Sequence, residues 1–380
     1  MRVLLVVGSV TGGGAERQWM LLARALMDTG HDVALATVDD RRTPEVEELV
    51  RRGLRWRVVS GELFRKGAGR PARRALGIAG IIARLRLLIA RERPDVVYSA
   101  LTITNGAAWC ATRVGYGGKL VWGIRGEVEP YPRFARAIEG VMGVMARSVP
   151  LAIANAPQSV AAHQERGIRP RAWAMVPNGF DSTVYRPDAE QRALVRAAWA
   201  VDERPVVGCV ARLTPVKEHP LLLRAFARAR ARVPDAVLVL AGGGAPGPER
   251  SLRALAAELG ITDSVRFLGS VDDAAAVYAG LDVHVLASST EGLPNAIGEA
   301  MSSGVPCVGT NVGAMAYLVG NTGLIVPSGE ETALAEALAD LLADPVRRAR
   351  LGLAARQRIV EEFSVAATAA RTLAAFAESL

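Results

Sequence analysis

Two glutamates, Glu291 and Glu299, are separated by seven residues in the Gly-, Pro- and Asn-rich stretch SSTEGLPNAIGEAMSSGVPCVG at 288–309. Carboxylates accept hydrogen bonds from sugar and ribose hydroxyls. The apolar run LDVHVLAS precedes the pair and IGEAMSSG follows with helical character, which predicts a strand, a loop carrying Glu291 and a helix carrying Glu299. In an open α/β sheet this loop lies at the carboxyl end of the strands, where ligands bind.

The backbone between the two glutamates adds a second kind of chemistry. Amide groups before the predicted helix would point N–H groups at an anion, and the helix dipole would assist them. The residues concerned are Gly292, Leu293, Pro294, Asn295 and Ala296. An anion site between two hydroxyl-binding carboxylates suits a molecule with phosphate in the middle and a polyol at each end, which describes a nucleotide sugar. An isolated glutamate pair is more often a loop carboxylate and a solvated helix residue, so the assignment depends on further motifs.

A second motif, VARLTPVKEHPLLLRAF at 210–226, places Arg212 and Lys217 in a predicted loop between a strand and a helix. Arginine offers a rigid fork to phosphate oxygens and lysine a compact charge. The pair can therefore neutralise a diphosphate leaving group. Two solvated loop cations are the alternative for an Arg-rich chain.

A third motif, GSVTGGGAERQWMLLARAL at 8–26, follows the opening apolar run RVLLVV. Gly12, Gly13 and Gly14 let the backbone approach a ligand closely before a helix begins. The motif is neither a GxGxxG fingerprint nor a P-loop, so alone it indicates only a first strand-to-helix turn.

These motifs, in this order, resemble a family 4 retaining glycosyltransferase of the GT-B fold, and the resemblance covers nearly the whole chain. The set comprises the loop with Gly13, Gly14 and Glu16, PNGFD at 177–181, the loop with Arg212 and Lys217, LAGGG at 240–244, RFLGSV at 266–271 and EGLPNAIGEAMSSGVPCV. The resemblance implies two Rossmann-like, doubly wound domains facing across a cleft, the nucleotide donor on the C-terminal domain and the acceptor on the N-terminal one.

The resemblance also implies roles for individual residues. Arg212 and Lys217, with Glu291 at the donor sugar, form the expected catalytic group. Glu299 would hold the ribose hydroxyls. The expected donor-binding backbone comprises Gly13, Gly14, Gly243, Gly269, Ser270 and Val271, together with Gly292 to Ala296. Retaining relatives are thought to react on one face of the sugar while the leaving phosphate helps to deprotonate the acceptor.

The sequence departs from the family pattern after the apolar run KLVWGI. Many relatives have a His in the following loop, whereas this chain reads WGIRGEVEP, with Arg125, Gly126 and Glu127 there. Arg125 and Glu127 are expected to contact the acceptor. Thr104 and Asn105, on a neighbouring predicted loop, are further candidates. The departure leaves the acceptor's identity open.

Apolar runs alternate with helical segments along all 380 residues, which predicts parallel sheets covered by helices. We expect an N-terminal acceptor domain at 1–183, a linker at 184–199 and a C-terminal nucleotide-sugar domain at 200–362. By resemblance, a final helix at 363–380 crosses back and completes the N-terminal domain.

Composition is that of a folded protein, with 50% hydrophobic and 22% charged residues. Three well-separated cysteines favour a reduced, cytoplasmic setting without disulfides. Of the four histidines only His219, just after Lys217, is placed near the proposed site, and a structural role is favoured for it. No apolar run long enough to span a membrane is visible. The lack of a DxD motif argues against an obligatory metal, and no cofactor beyond the nucleotide sugar is expected.

The basic stretch RKGAGRPARRALGIAGIIARLRLLIARER at 65–93 contributes to a net charge of +8. Interpreted as a helix from about Pro71, it could lie on an anionic membrane surface and meet a lipid-linked acceptor. It could equally cover a sheet and expose its arginines to water. No nucleic-acid motif accompanies the charge, so we expect no nucleic-acid partner.

The sequence thus predicts a retaining hexosyltransferase that moves a sugar from a nucleotide sugar to a hydroxyl acceptor. A UDP-sugar such as UDP-N-acetylglucosamine is the favoured donor. The acceptor is a cell-envelope glycan or glycolipid, or an aminocyclitol-type metabolite. Two alternatives stay open: a non-hydrolysing nucleotide-sugar 2-epimerase on the same fold, and a non-catalytic nucleotide-sugar-binding protein.

Overall fold

The computed structural model describes residues 1–11, 13–60, 71–125 and 133–378. The chain divides into two compact units. Residues Met1–Gly179 and Val365–Leu380 form the first unit, and Phe180–Ser364 form the second.

The first unit is built on a parallel sheet with the strand order β3-β2-β1-β4-β5-β6-β7 in its described residues. Its strands are β1 Arg2–Val7, β2 Asp32–Thr37, β3 Arg55–Val58, β4 Val96–Ala100, β5 Lys119–Ile124, β6 Leu151–Ala154 and β7 Ala172–Met175. The central strands β4, β5 and β6 are buried along their whole length. Such continuous burial explains why these strands consist mainly of apolar residues.

The second unit has a parallel sheet with the order β10-β9-β8-β11-β12-β13. Its strands are β8 Val206–Val210, β9 Val237–Ala241, β10 Val265–Gly269, β11 Val283–Leu286, β12 Cys307–Thr310 and β13 Leu324–Val326. Strand β8 pairs with both β9 and β11, and Gly208 lies opposite Val239 on one side and His284 on the other.

Helices connect the strands in both units. In chain order they are α1 Gly14–Asp28, α2 Pro44–Arg51, α3 Pro71–Glu92, α4 Thr102–Thr112, α5 Arg133–Ala146, α6 Pro157–Glu165, α7 Ala189–Trp199, α8 His219–Ala229, α9 Pro246–Glu258, α10 Ala274–Gly280, α11 Asn295–Ser302, α12 Met315–Val319, α13 Glu331–Ala343, α14 Pro345–Glu362 and α15 Val365–Glu378. Asp side chains cap three of them, as where Asp188 accepts from the Gln191 amide at 2.9 Å.

Both strand orders reverse direction once, and the reversal decides where a ligand can bind. The reversal falls between β1 and β4 in the first sheet and between β8 and β11 in the second. Loops leaving two such strands turn to opposite faces of the sheet, which opens a crevice at the carboxyl ends. The loops with Arg212 and Lys217 and with Glu291 follow β8 and β11, so they border the crevice of the second unit.

Helix α15 belongs to the core of the first unit although it ends the described chain. Ala369, Ala375 and Phe376 are buried in the same apolar cluster as strand β1 and helix α1. The Phe376 ring meets Tyr98 edge-on at 5.4 Å. The Nζ of Lys119 donates to the Phe376 carbonyl at 2.9 Å. These contacts tie the helix to the centre of the first sheet.

The segment for which the sequence predicts a linker, 184–199, differs in the structure: it lies within the second unit and carries helix α7. Arg192 and Arg196 both pair with Asp282, at 2.6 and 3.1 Å. The Arg196 side chain is only 7% exposed. The polar residues that suggest a linker therefore bind the helix to its own unit.

Helix α3 contains nearly all of the described part of the basic stretch and covers the first sheet. Ile81, Leu85 and Leu88 are buried in the core of that face, whereas Leu76 and Leu87 are exposed. Within the described part of the chain, no helix combines the length and apolar character needed to cross a bilayer.

Candidate functional site

The crevice of the second unit is formed by loops that are hydrogen-bonded to one another. The Ser289 amide, after β11, donates to the Val216 carbonyl, after β8, at 2.9 Å. The Ala314 amide, after β12, donates to the Gly292 carbonyl at 2.8 Å. These backbone bonds fix the loop that carries Glu291 from both sides.

Lys217 and Glu291, predicted from separate motifs, form an ion pair in this crevice. The Lys217 Nζ lies 2.5 Å from the Glu291 Oε1, and the side chains are 20% and 11% exposed. The Ser288 hydroxyl donates to the same oxygen at 2.6 Å. Among the described residues no donor reaches Glu291 Oε2. One carboxylate oxygen thus holds Lys217 and Ser288 while the other can accept from a sugar hydroxyl.

Arg212 is in a different state from Lys217. It follows β8 in the same loop, its side chain is exposed, and it makes no ion pair with any residue in the described ranges. A guanidinium in water at the mouth of the crevice can bind phosphate oxygens without first leaving a carboxylate.

Glycines let the neighbouring loops approach each other closely. The Gly242 amide donates to the Gly269 carbonyl at 2.7 Å, and the Leu213 amide donates to the Gly243 carbonyl at 3.0 Å. A Cβ on Gly243 would lie 2.0 Å from the Ser270 Oγ. Gly243, Gly269 and Ser270 are therefore neighbours. Val271, partly buried, continues the same loop.

Glu299 is buried inside helix α11, one turn after the helix begins at Asn295. The Tyr278 hydroxyl donates to Glu299 Oε2 at 3.1 Å. Of the predicted loop residues, Leu293 and Pro294 are buried, and Gly292, Asn295 and Ala296 are partly exposed. Pro294 has no N–H, so it can contribute only packing to an anion site.

Two buried histidines lie beneath the Lys217 loop. Burial, and after it the Lys217 cation, lowers the pKa of His219 to about 4 and the pKa of His284 to about 3. The Cys209 Sγ lies 3.9 Å from the His219 Nε2, and burial raises the pKa of that thiol to about 12. Neutral imidazoles add no positive charge to the site, consistent with the structural role expected for them.

The predicted residues of the first unit lie at the carboxyl end of its sheet. Gly13 precedes helix α1, and Gly14 begins it; both are exposed. Asn105 lies in helix α4 and not in the predicted loop, and it is buried: its amide accepts from Ser99 at 2.8 Å and donates to the Gly123 carbonyl at 3.2 Å. It ties the ends of β4 and β5 together.

Arg125 directly follows strand β5 and lies over the Trp19 ring at 5.6 Å. Its Nη1 donates to the Asn178 Oδ1 at 2.6 Å. Asn178 belongs to the PNGFD motif, so Arg125 connects that motif to the sheet. Glu127 lies outside the described residues.

Sequence reasoning missed Ser288 and Tyr278. Ser288 lies three residues before Glu291, within hydroxyl reach on a tight loop, and this spacing could have indicated it. Tyr278 precedes Glu299 by 21 residues and meets it only through packing of α10 against α11, which no local pattern reveals. No three His, Cys, Asp or Glu residues come together as a metal-holding group in the part of the chain that is described.

Comparisons with known proteins agree with this architecture. A family model described as Glycosyltransferase Family 4 matches residues 12–184, and one described as Glycosyl transferases group 1 matches residues 204–344. Together they cover most of both units.

Curated relatives include a GDP-mannose-dependent α-(1-6)-phosphatidylinositol monomannoside mannosyltransferase of Mycolicibacterium smegmatis. It is 36% identical over 192 residues, which are 48% of this chain and 50% of the relative. A D-inositol 3-phosphate glycosyltransferase of Stackebrandtia nassauensis is 34% identical over 223 residues, 56% of this chain and 50% of the relative. The chain thus spans about half the length of the curated relatives it matches.

Solved structures match over the whole chain. Anabaena HepE in complex with UDP has a TM-score of 0.85 at 23% identity, with 100% of both chains covered. A glycosyltransferase from Rickettsia africae has a TM-score of 0.84 at 18% identity and covers 100% of this chain and 98% of its own. These likenesses confirm the predicted fold class of two Rossmann-like domains.

Proposed function

Because the chain belongs to the family 4 glycosyltransferases, we propose that it transfers a sugar from a nucleoside-diphosphate sugar to a hydroxyl acceptor with retention of configuration. The observation that carries the proposal is the convergence of Arg212, Lys217 and Glu291 on the crevice between β8 and β11. Two cations suit a departing diphosphate, and a carboxylate suits a sugar that becomes oxocarbenium-like.

Each group then has one task. The exposed Arg212 and the ammonium of Lys217 bind the diphosphate and stabilise its growing charge as the sugar leaves. Glu291 holds Lys217 through Oε1 and offers Oε2 to the donor sugar. Glu299 accepts hydrogen bonds from the ribose hydroxyls. The backbone of Gly269, Ser270 and Val271 borders the base. The donor sugar, at the other end of the diphosphate, then lies at Glu291.

We propose GDP-mannose as the first donor to test, because the M. smegmatis relative and the related mannosyltransferases of Mycobacterium tuberculosis and Corynebacterium glutamicum are GDP-mannose-dependent by name. A UDP-sugar, favoured by the sequence, is the second donor to test. Inositol and a phosphate occur together in the names of these relatives, as phosphatidylinositol or as inositol 3-phosphate. We therefore propose an inositol-containing acceptor, free or lipid-linked, in place of a broader glycan class.

A lipid-linked acceptor would bring the protein to a membrane surface. The outer face of helix α3 offers the exposed Leu76 and Leu87, 61% and 71% exposed, close to the exposed Arg84 and Arg86. Apolar side chains among cations are the composition that binds anionic interfaces. This supports the membrane contact considered for the basic stretch, in addition to the sheet-covering role of the buried face of α3.

The test is transfer itself. The protein is incubated with GDP-mannose, UDP-glucose or UDP-N-acetylglucosamine and with inositol phosphate or phosphatidylinositol vesicles, and the product is analysed by mass spectrometry and NMR. We expect one donor to be used and the product to keep its anomeric configuration. Arg212→Ala and Lys217→Ala should each slow transfer by about 10²- to 10³-fold, mainly in kcat.

Arg228→Ala is the matched control, because Arg228 is an exposed arginine of the same unit that pairs with Glu331 instead. It should leave transfer unchanged. An inverted product would contradict retention. Formation of an epimer without acceptor would favour the epimerase, and nucleotide-sugar binding without any transfer would favour the non-catalytic binding protein.

A further inference from the structure

The phenol of Tyr278 is buried against the carboxylate that the proposed function assigns to ribose. We propose that Tyr278 is a positioning residue that orients Glu299 for the vicinal ribose hydroxyls of the nucleotide; this inference rests on the proposed function. Its hydroxyl donates to Glu299 Oε2 at 3.1 Å. Tyr278 is fully buried and Glu299 is 7% exposed.

The Tyr278 ring has a fixed place. It meets His284 at 5.5 Å and Tyr185 at 6.0 Å, both nearly edge-on. The His284 Nε2 accepts from the Val210 amide at 3.3 Å, so the imidazole is held as well. Residues of β11 and of the segment before α7 therefore clamp the ring, and its hydroxyl can reach Glu299 from one direction only.

The phenol acts as a permanent donor. Burial, and next to it the charge of Glu299, raises the pKa of Tyr278 well above its ordinary value, so the hydroxyl keeps its proton. Because the phenol cannot ionise, it always donates to Glu299 Oε2, and this hydrogen bond prevents the carboxylate from rotating. The direction in which Glu299 meets a ligand is then set before the ligand binds.

A fixed, buried carboxylate selects for ligands that satisfy it. The ribose hydroxyls offer Glu299 donors that a 2′,3′-dideoxynucleotide lacks, so the dideoxynucleotide should bind with lower affinity. If Glu299 can rotate, this discrimination weakens, because the carboxylate can turn to other donors. Loss of the Tyr278 hydroxyl should therefore reduce the affinity for ribonucleotides and leave that for dideoxynucleotides unchanged.

The experiment is a binding cycle by calorimetry on the full chain. GDP and UDP, each compared with its 2′,3′-dideoxy form, are titrated into the wild-type protein and into Tyr278→Phe, which keeps the ring contacts. We expect Tyr278→Phe to weaken binding of the ribonucleotide about tenfold and to leave the dideoxynucleotide within about twofold.

Tyr116→Phe is the matched control. It also removes one phenol hydrogen bond, from Tyr116 to the Lys119 carbonyl at 3.2 Å, but in the first unit. It should lower thermal stability without changing the ribose preference. A second substitution, Glu299→Gln, should abolish most of the effect of Tyr278→Phe, because the phenol acts through the carboxylate.

The outcomes separate this inference from the proposed function. Equal weakening of ribo- and dideoxynucleotides by Tyr278→Phe would show a packing role and overturn the inference alone, as would no change in either. If the wild-type protein binds ribo- and dideoxynucleotides equally, the ribose role of Glu299 and the inference fail together. Absence of binding of both GDP and UDP by the wild-type protein would overturn the proposed function itself.

Discussion

In the proposed reaction Lys217 binds the diphosphate, yet its ammonium is bound to Glu291 in this structure at 2.5 Å. A diphosphate that recruits Lys217 competes with a carboxylate at the same site. Arg212 has no such competitor among the described residues, so we expect it to be the cation that binds the phosphates first. The sequence predicts the two cations as a pair, but only Lys217 has its charge balanced by a carboxylate.

Glu291→Gln should therefore strengthen the binding of free nucleoside diphosphate, because Lys217 no longer has an anionic partner to leave. We expect a gain of about three- to tenfold in affinity, together with a loss of about 10²-fold or more in transfer rate. Calorimetry with GDP or UDP and single-turnover kinetics measure the two effects.

Glu331→Gln is the control for this charge change, since Glu331 pairs with Arg224 at 2.9 Å on the same unit. It should alter neither quantity. A lower nucleotide affinity in Glu291→Gln would show that Glu291 itself binds the nucleotide and would contradict the competition.

At the scale of elements, the turn after strand β12 shapes the loop after β11. Gly313 in this turn has φ +52°, and a Cβ there would lie 1.9 Å from the Glu291 carbonyl oxygen. That atom is backbone, so it cannot move aside as a flexible side chain would. The loop that carries Glu291 and the turn with Gly313 must therefore keep their shapes together.

Gly313→Ala should lower the free energy of unfolding by about 3 kcal/mol or more and weaken nucleotide binding, because strain and a backbone clash coincide. Gly329→Ala provides the comparison: Gly329 has φ +80°, and an added Cβ meets nothing within 4 Å. It should lose only about 1–2 kcal/mol and bind nucleotide normally. Denaturant titration and calorimetry test both variants, and equal losses would refute the clash.

The elements also show how far the sequence can predict the structure. Buried central strands such as β5, Lys119–Ile124, coincide with the apolar run KLVWGI. The edge strand β3, Arg55–Val58, has no apolar run to indicate it, because RWRV alternates charged with large side chains and is only partly buried. Helix α7 resembled a linker because Arg192 and Arg196 look solvent-exposed until Asp282 is found 86 or more residues later.

In the site, too, some features can be predicted from the sequence and others cannot. Lys217 and Glu291 could be predicted because each follows a strand at the sheet reversal, where chain order dictates position. Their direct contact could not, since it depends on side-chain reach between two loops. The clamp of Tyr278 on Glu299 required the packing of α10 on α11, which is a property of three dimensions only.

At the scale of the whole molecule, the two strongly perturbed histidines belong to the second unit. Unfolded histidine has a pKa of about 6.5, whereas His219 and His284 have values of about 4 and about 3. Below pH of about 6.5 the unfolded chain binds protons that the folded unit does not. The stability of the second unit is therefore complete above that pH and falls as the pH is lowered toward 4.

Each histidine should contribute a loss of about 1.4 kcal/mol per pH unit in this range. Native-state hydrogen exchange, corrected for intrinsic rates, should show protection falling first in peptides from Phe180–Ser364. His219→Gln should reduce the slope of the free energy of unfolding against pH by the contribution of about one bound proton. A decline of equal slope in this variant would show that other groups govern the acid sensitivity.

Helix α15 determines which of the two units can finish folding first during synthesis. The first unit needs Ala369, Ala375 and Phe376 from this helix to fill its core, yet they leave the ribosome after all of Phe180–Ser364. The later-made unit can complete its fold while the earlier-made one still exposes the apolar surface around Tyr98 to solvent. A chaperone that recognises apolar surface would accordingly meet the N-terminal half of the nascent chain for longer than vectorial synthesis alone would suggest.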